Sequence, residues 1–199
     1  MNSKISYSYN DIMIELLDDP TYTVGADNRN PYALHYFTDG PQDSKGSLHG
    51  IRLFKDELEL SSCLLIGSGG TTIHPTSAIV DGSSLLVCCG DSVFSLDLPS
   101  LELKWQTHVD LVACFQIYNI EGGYLVHGEL EVSKLNTLGE VVWSFSGCDI
   151  FVSADNESSF AIQADRIVLI DWEKNRYELD FDGKVIHKTT ATIGKNKSS

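Results

Sequence analysis

One design returns three times in the C-terminal two-thirds of this chain and restricts the fold more than any other feature. The copies span residues 83–105 (SSLLVCCGDSVFSLDLPSLELKW), 122–143 (GGYLVHGELEVSKLNTLGEVVW) and 158–179 (SSFAIQADRIVLIDWEKNRYEL). Each reads as strand, acidic tight turn, strand, polar turn, strand, and the first two close on Trp105 and Trp143. Leu85, Tyr124 and Phe160 open equivalent strands, at spacings of 39 and 36 residues. Such a period suits stacked four-stranded meanders, because one unit cannot bury its own apolar face and needs its neighbour to do so.

A fourth strand precedes each copy: residues 77–80, then 113–118, then 150–152. Asp81-Gly82, Glu121-Gly122-Gly123 and Asp155-Asn156 close these onto the next strand. Those residues accept left-handed backbone or bond their own main chain. The run Leu85-Leu86-Val87-Cys88-Cys89 is apolar without alternation, which predicts a strand covered on both faces and a vicinal cysteine pair facing opposite ways. Val93, Val132 and Val168 are expected to point inward from third strands.

Gly90-Asp91-Ser92-Val93-Phe94-Ser95-Leu96-Asp97 and Leu138-Gly139-Glu140-Val141-Val142-Trp143 resemble the quinoprotein-like (PQQ/WD-type) β-propeller repeat, in which a strand ending in Leu-Asp is followed by a glycine turn and a strand ending in Trp. The resemblance covers about half the chain. It implies blades with Trp105 and Trp143 packed between neighbours, and it does not imply quinone chemistry. The third copy departs, with Leu179 near the tryptophan place and Trp172 displaced into a turn. At roughly 40–45 residues per blade, the chain holds at most four, and closed rings use about four to eight. The expectation is an all-β fold of successive four-stranded antiparallel meanders, an open or partial β-propeller-like arc, with a twisted β-sandwich as the alternative. The expected organisation is one β-repeat domain over 1–187, divergent over 1–75 and regular over 76–187, followed by a frayed polar tail over 188–199.

In the divergent part, Asp11 to Leu17 reads as a short helix capped by Asp11, with an edge strand as the alternative. Tyr32 to Phe37 is a strand candidate, and 50–54 with 58–66 form a hairpin around Lys55-Asp56-Glu57, together a degenerate first blade. Gly67-Ser68-Gly69-Gly70 lacks the lysine and the helix of a phosphate loop and reads as a connector. Ser68 also lacks the flanking pattern of a nucleophile elbow.

The formal net charge is −14, and without Lys188, Lys195 and Lys197 it is −17. From Asp81 through Asp165 there are thirteen Asp or Glu against Lys104 and Lys134. Such a body repels nucleic-acid phosphates and anionic membranes and attracts basic proteins. With 42% hydrophobic residues, no long apolar run and no apolar stretch in the first ten residues, the expectation is a cytoplasmic protein without a membrane span. Cys63, Cys88, Cys89, Cys114 and Cys148 form an odd set without C-x-x-C spacing, read as structural thiols of a reducing compartment.

Catalytic machinery is sparse. His127, Glu129 and Glu131 would project from one face of a strand, near Cys114, and with Asp149 they are the one nucleus for metal or acid–base chemistry. One imidazole is too few for a metal site, and the two carboxylates equally suit a hydrophilic turn. His74 lies in the connector before the first clear repeat. No catalytic residue, metal or cofactor is therefore assigned. By charge and size the chain also resembles immunity proteins. The leading reading is a non-catalytic module that binds a basic protein partner, a nuclease-type toxin foremost, through Asp91, Glu129, Glu131, Asp149 and Asp165. The alternatives are a structural or ligand-sensing β-repeat subunit of a larger assembly and, behind it, a metal-dependent enzyme.

Overall fold

The computed structural model describes residues 4–26, 28, 31–38, 46–153 and 158–191, and every regular element among them is a β-strand. The first sheet holds β1 (Lys4–Tyr9), β2 (Ile12–Asp18), β3 (Leu34–Phe37), β4 (Ser47–Lys55) and β5 (Leu58–Gly67), in the order β1-β2-β4-β5-β3. All its pairings are antiparallel except β3 on β5. The second sheet is a meander of β6 (Ala78–Asp81), β7 (Ser84–Cys89), β8 (Ser92–Asp97) and β9 (Leu103–His108). The third repeats it with β10 (Cys114–Ile120), β11 (Gly123–Gly128), β12 (Glu131–Leu135) and β13 (Val141–Ser146). The fourth has β14 (Phe160–Ile162), β15 (Ile167–Ile170), β16 (Arg176–Leu179) and β17 (Val185–Thr189). The chain is thus a partial, β-propeller-like stack of four sheets.

Successive sheets share three cores. Ile14, Leu16, Ile51 and Leu53 of the first meet Leu85, Val87 and Phe94 of the second. Leu86, Cys88 and Val93 meet Cys114, Ile117, Tyr124 and Val126. Leu125 and Val132 meet Phe151, Phe160, Ile167, Leu169 and Tyr177. Side chains of one strand alternate between faces, so β7 serves two cores at once: Leu85, Val87 and Cys89 point back and Leu86 and Cys88 point forward. That is why its sequence does not alternate, and the cysteine pair divides as expected. Each fully buried leucine contributes roughly 1.5–3 kcal/mol.

Each forward interface is keyed by an aromatic ring on a tight backbone. Trp105 of β9 lies on Gly139 in the turn before β13, where an added Cβ would sit 2.4 Å from the ring. Trp143 of β13 lies on Gly183 in the turn before β17, where it would sit 2.6 Å away. Both glycines have φ near +80°, so the position needs glycine for backbone and for space. At the first interface the equivalent residue is Leu101, with φ +61° and its side chain in the core. There Tyr36 of β3 takes the tryptophan's part: its hydroxyl donates to the Leu101 carbonyl (3.0 Å) and accepts from the Leu103 N–H (3.2 Å).

Four expectations are corrected. Residues 12–18 form a strand rather than a helix, because Ile12, Ile14 and Leu16 are buried and alternate with more exposed residues, a period of two. The third repeat is slipped by one strand: 150–152 is not a strand, β14 is the first strand of its sheet and β15 the second, so Val168 lies on a second strand. The tryptophan place of that sheet is His187, opposite Glu178 as Trp143 is opposite Lys134. Trp105 and Trp143 pack between neighbouring sheets as expected, and both are half-buried rather than enclosed. Lys188 and Thr189 belong to β17, so that strand crosses residue 187; 192–199 and the Asp155-Asn156 turn lie outside the described residues. The hairpin of β4 and β5 and the connector at 67–70 match their expectations.

Candidate functional site

Antiparallel meanders send their turns alternately to two rims. The turns after β7, β11 and β15, together with the connections between sheets, lie on one rim, called upper here. The turns after β6, β8, β10, β12, β14 and β16 lie on the lower one. The first sheet follows suit, because Gly67 at the end of β5 abuts the backbone of Cys89 and Gly90. Its β4–β5 turn therefore points to the lower rim.

A chain of backbone hydrogen bonds ties the upper rim together. Cys114 N–H donates to Gly90 O (2.7 Å), Glu129 N–H to Ala113 O (2.8 Å), Phe151 N–H to Glu129 O (2.7 Å) and Trp172 N–H to Ile150 O (2.8 Å). Beneath it, buried Asp110 accepts four backbone N–H bonds. Val112 (2.7 Å) and Ala113 (3.1 Å) donate to Oδ1, and Leu130 and Glu131 (both 2.8 Å) to Oδ2. A carboxylate so satisfied is a structural clamp between the connection after β9 and the turn after β11. Asp171 plays a similar part in the fourth sheet, accepting from Asn175 N–H (2.8 Å) and from the Tyr177 hydroxyl (2.9 Å).

The five expected binding carboxylates separate. Glu129, Glu131 and Asp149 gather half-exposed on the upper rim, joined there by exposed Glu173 and Lys174. No ion pair to Glu129, Glu131 or Asp149 occurs among the described residues. Asp91 is on the same rim but buried; its Oδ1 accepts from the Ser92 hydroxyl (2.8 Å), and its Oδ2 is 3.7 Å from His108 Nε2. Asp165 falls on the lower rim, paired with Arg166 at 2.8 Å, because the third repeat is slipped. The lower rim carries exposed Asp56, Glu57, Asp81, Glu102, Glu121, Glu140 and Asp182, interspersed with the pairs Lys55–Asp11 (2.6 Å) and Lys104–Asp97 (2.8 Å).

His127, Glu129 and Glu131 do not share a strand face: the first ends β11, the second is in the turn and the third opens β12. His127 is buried at the wall of an open cleft of about 350 Å³ lined by Phe115, Gln116, Phe151, Ser159 and Phe160. Its ring stacks on Phe160 (centroids 4.7 Å apart) with the edge of Phe115 beside it. Nε2 lies 3.1 Å from the Phe151 carbonyl, and Nδ1 lies 3.0 Å from the Gln116 side-chain amide. Burial pulls its pKa down to about 4, against the raising effect of that carbonyl, and His74 adds to the lowering. The ring is thus neutral near pH 7 and donates through Nε2 to the Phe151 carbonyl; Nδ1 then accepts, which requires the Gln116 amide to be turned so that its NH2 rather than its Oε1 faces the ring. With both nitrogens occupied it is a packing element. Among the described residues no three His, Cys, Asp or Glu side chains are grouped to hold a metal ion.

Sequence reasoning missed the apolar part of the upper rim, where Leu111, Val112 and Trp172 are exposed. Leu111-Val112 directly after Asp110, in a connection between strands, was the available signal.

No protein-family model matches the chain, and no curated protein sequence does so. Among solved structures it is similar to BamB from Moraxella catarrhalis, with a TM-score of 0.50 and 13% identity over 76% of this chain and 49% of that one. The computationally designed protein Ika8 gives a TM-score of 0.51 at 9% identity over 92% of this chain and 60% of that one. The β-propeller domain of Cps50 (Swd1) from Myceliophteria thermophila gives 0.45 at 11% identity over 74% of this chain and 56% of that one. The chain therefore spans about half to three-fifths of the length of these structures. At such identities the likeness concerns the fold alone, and the two matches with TM-scores of 0.50 and 0.51 agree with the β-propeller-like stack of four-stranded meanders seen in this chain.

Proposed function

We propose that this chain is a non-catalytic protein-binding module that takes a basic protein partner on its upper rim. The observation that carries this reading is the grouping of Glu129, Glu131 and Asp149 on one rim without an ion pair among the described residues, in a chain of net charge −14. Carboxylates left unneutralised on a rigid rim set up a field that accelerates encounter with a cationic surface. The Asp110 clamp and the backbone chain beneath hold these turns in place, so little ordering cost falls on binding. We take a basic toxin of the nuclease type as the partner class to test first, since a row of carboxylates presents the charge that a phosphate-binding cleft accepts. We also place the protein in the cytoplasm, where Cys63, Cys88, Cys89 and Cys114 stay buried thiols.

The test is co-expression and co-purification with the protein encoded beside it, followed by association kinetics at increasing salt. The double reversal Glu129→Lys with Asp149→Lys is expected to slow association roughly tenfold at low salt and to flatten its salt dependence. An association rate indifferent to both salt and reversal would end the electrostatic reading.

A further inference from the structure

We infer that the upper rim carries an apolar strip that anchors the partner, and that its occupant is a protein segment presenting a large apolar side chain flanked by lysine or arginine. This rests on the basic-partner reading above and adds where, and by what side chains, the partner is gripped. Leu111 is 74% exposed, Trp172 49% and Val112 39%, with Leu130 and Ile150 half-exposed among them. They are far apart in sequence, yet the backbone makes them neighbours. Val112 and Leu130 donate to the two oxygens of the same Asp110 carboxylate (2.7 and 2.8 Å). Glu129 accepts from Phe151 (2.7 Å), and Ile150 accepts from Trp172 (2.8 Å). Backbone bonds therefore link the segments that carry these side chains, from the connection after β9 to the turn after β15.

Several features separate this strip from the scattered apolar residues found on any surface. Its segments are bonded to one another across two sheets, it contains a half-exposed tryptophan, and one end is held by a buried carboxylate with four bonds. Tryptophan on a rigid support is the side chain most often found to dominate binding energy, and contiguous apolar patches rimmed by polar groups mark interaction sites. Charge complementarity selects the occupant. Glu129, Glu131, Asp149 and Glu173 edge the strip against Lys174, so an apolar anchor without cationic flanks would leave them desolvated and unpaired. A basic segment without an apolar anchor would leave Leu111 and Trp172 in water.

The experiment is selection of a random dodecapeptide display library on the immobilised full chain, followed by affinities of the enriched peptides for variants. The expected peptides carry an aromatic or large aliphatic residue next to Lys or Arg. Their binding should weaken on the order of 30-fold with Trp172→Ala and with Leu111→Ser, the size expected for a dominant anchor. Leu111→Ser should melt with the wild type and Trp172→Ala within a few degrees of it, since Leu111 is largely and Trp172 half exposed, and bound peptide should shift Trp172 fluorescence to shorter wavelength. Peptides that lose affinity with the Glu129→Lys, Asp149→Lys double reversal but not with Trp172→Ala would overturn the strip and leave the basic-partner reading standing. Peptides indifferent to all of these would overturn both. Self-association of the chain that Trp172→Ala abolishes would mean that a second copy fills the strip, and would overturn it too.

Discussion

Replacing Gly139 by alanine tests the key that holds the second sheet to the third. Two costs are expected, and the structure separates them. The backbone there has φ +82°, which an L side chain adopts at a cost of about 1–2 kcal/mol. The added Cβ would also stand 2.4, 2.5 and 2.8 Å from three atoms of the Trp105 ring, so the ring must move, at about 1–3 kcal/mol for overpacking. Gly122 supplies the control, since it has φ +78° but nothing within 4 Å of an added Cβ. Gly122→Ala should cost only the backbone part, partly offset by a stiffer unfolded chain. For a chain of this size a kcal/mol lowers the melting temperature by roughly 2–4 °C. Gly139→Ala is therefore expected to melt roughly 6–12 °C below wild type, and Gly122→Ala roughly 3 °C below. Trp105→Ala removes the obstacle; in that background Gly139→Ala should cost no more than Gly122→Ala, a coupling of about 1–3 kcal/mol in a double-mutant cycle. Equal melting of the two glycine variants, or a Gly139 penalty undiminished in the Trp105→Ala background, would refute the docking of Trp105 on this turn.

Other outcomes follow from single groups. His127 is held neutral with a pKa of about 4 in the folded state against 6.5 unfolded, so its effect is absent above pH 6.5. Stability should fall as pH drops from 6.5 towards 4, because the unfolded chain takes up the proton and the folded chain does not. The accumulated loss is about 3 kcal/mol, read by urea titration against pH, and His127→Phe should remove that slope; an identical slope in the variant would assign it to other groups. Asp110→Asn turns one accepting oxygen into a donor facing two backbone N–H groups, and should cost about 2–4 kcal/mol in urea unfolding. It should also weaken binding of the rim peptides, because the turns it clamps lose their support.

The periodicity of the chain was enough to set strand type, the four-stranded meander and the stacking. Hydrophobic alternation and the turn residues are local signals, and a strand sandwiched between two cores shows itself as an unbroken apolar run such as Leu85 to Cys89. Register in the last repeat was decided by tertiary structure. Leu179 to His187 parallels Leu135 to Trp143 residue for residue, with Gly183 matching Gly139, but the histidine in place of tryptophan hid the match. In the fourth sheet Glu178, paired with Arg166 (2.6 Å) and Arg176 (2.9 Å), stands where Lys134 stands on the third, and His187 is exposed. The same slip explains the carboxylates. Composition alone shows a strongly acidic body, yet which of two rims a turn reaches depends on whether it follows an odd or an even strand of its sheet. Asp165 moved to the far rim for that reason, Asp91 was buried beside His108, and Asp110, one of the thirteen acids from Asp81 through Asp165, became the clamp because four N–H groups from two separate segments converge on it.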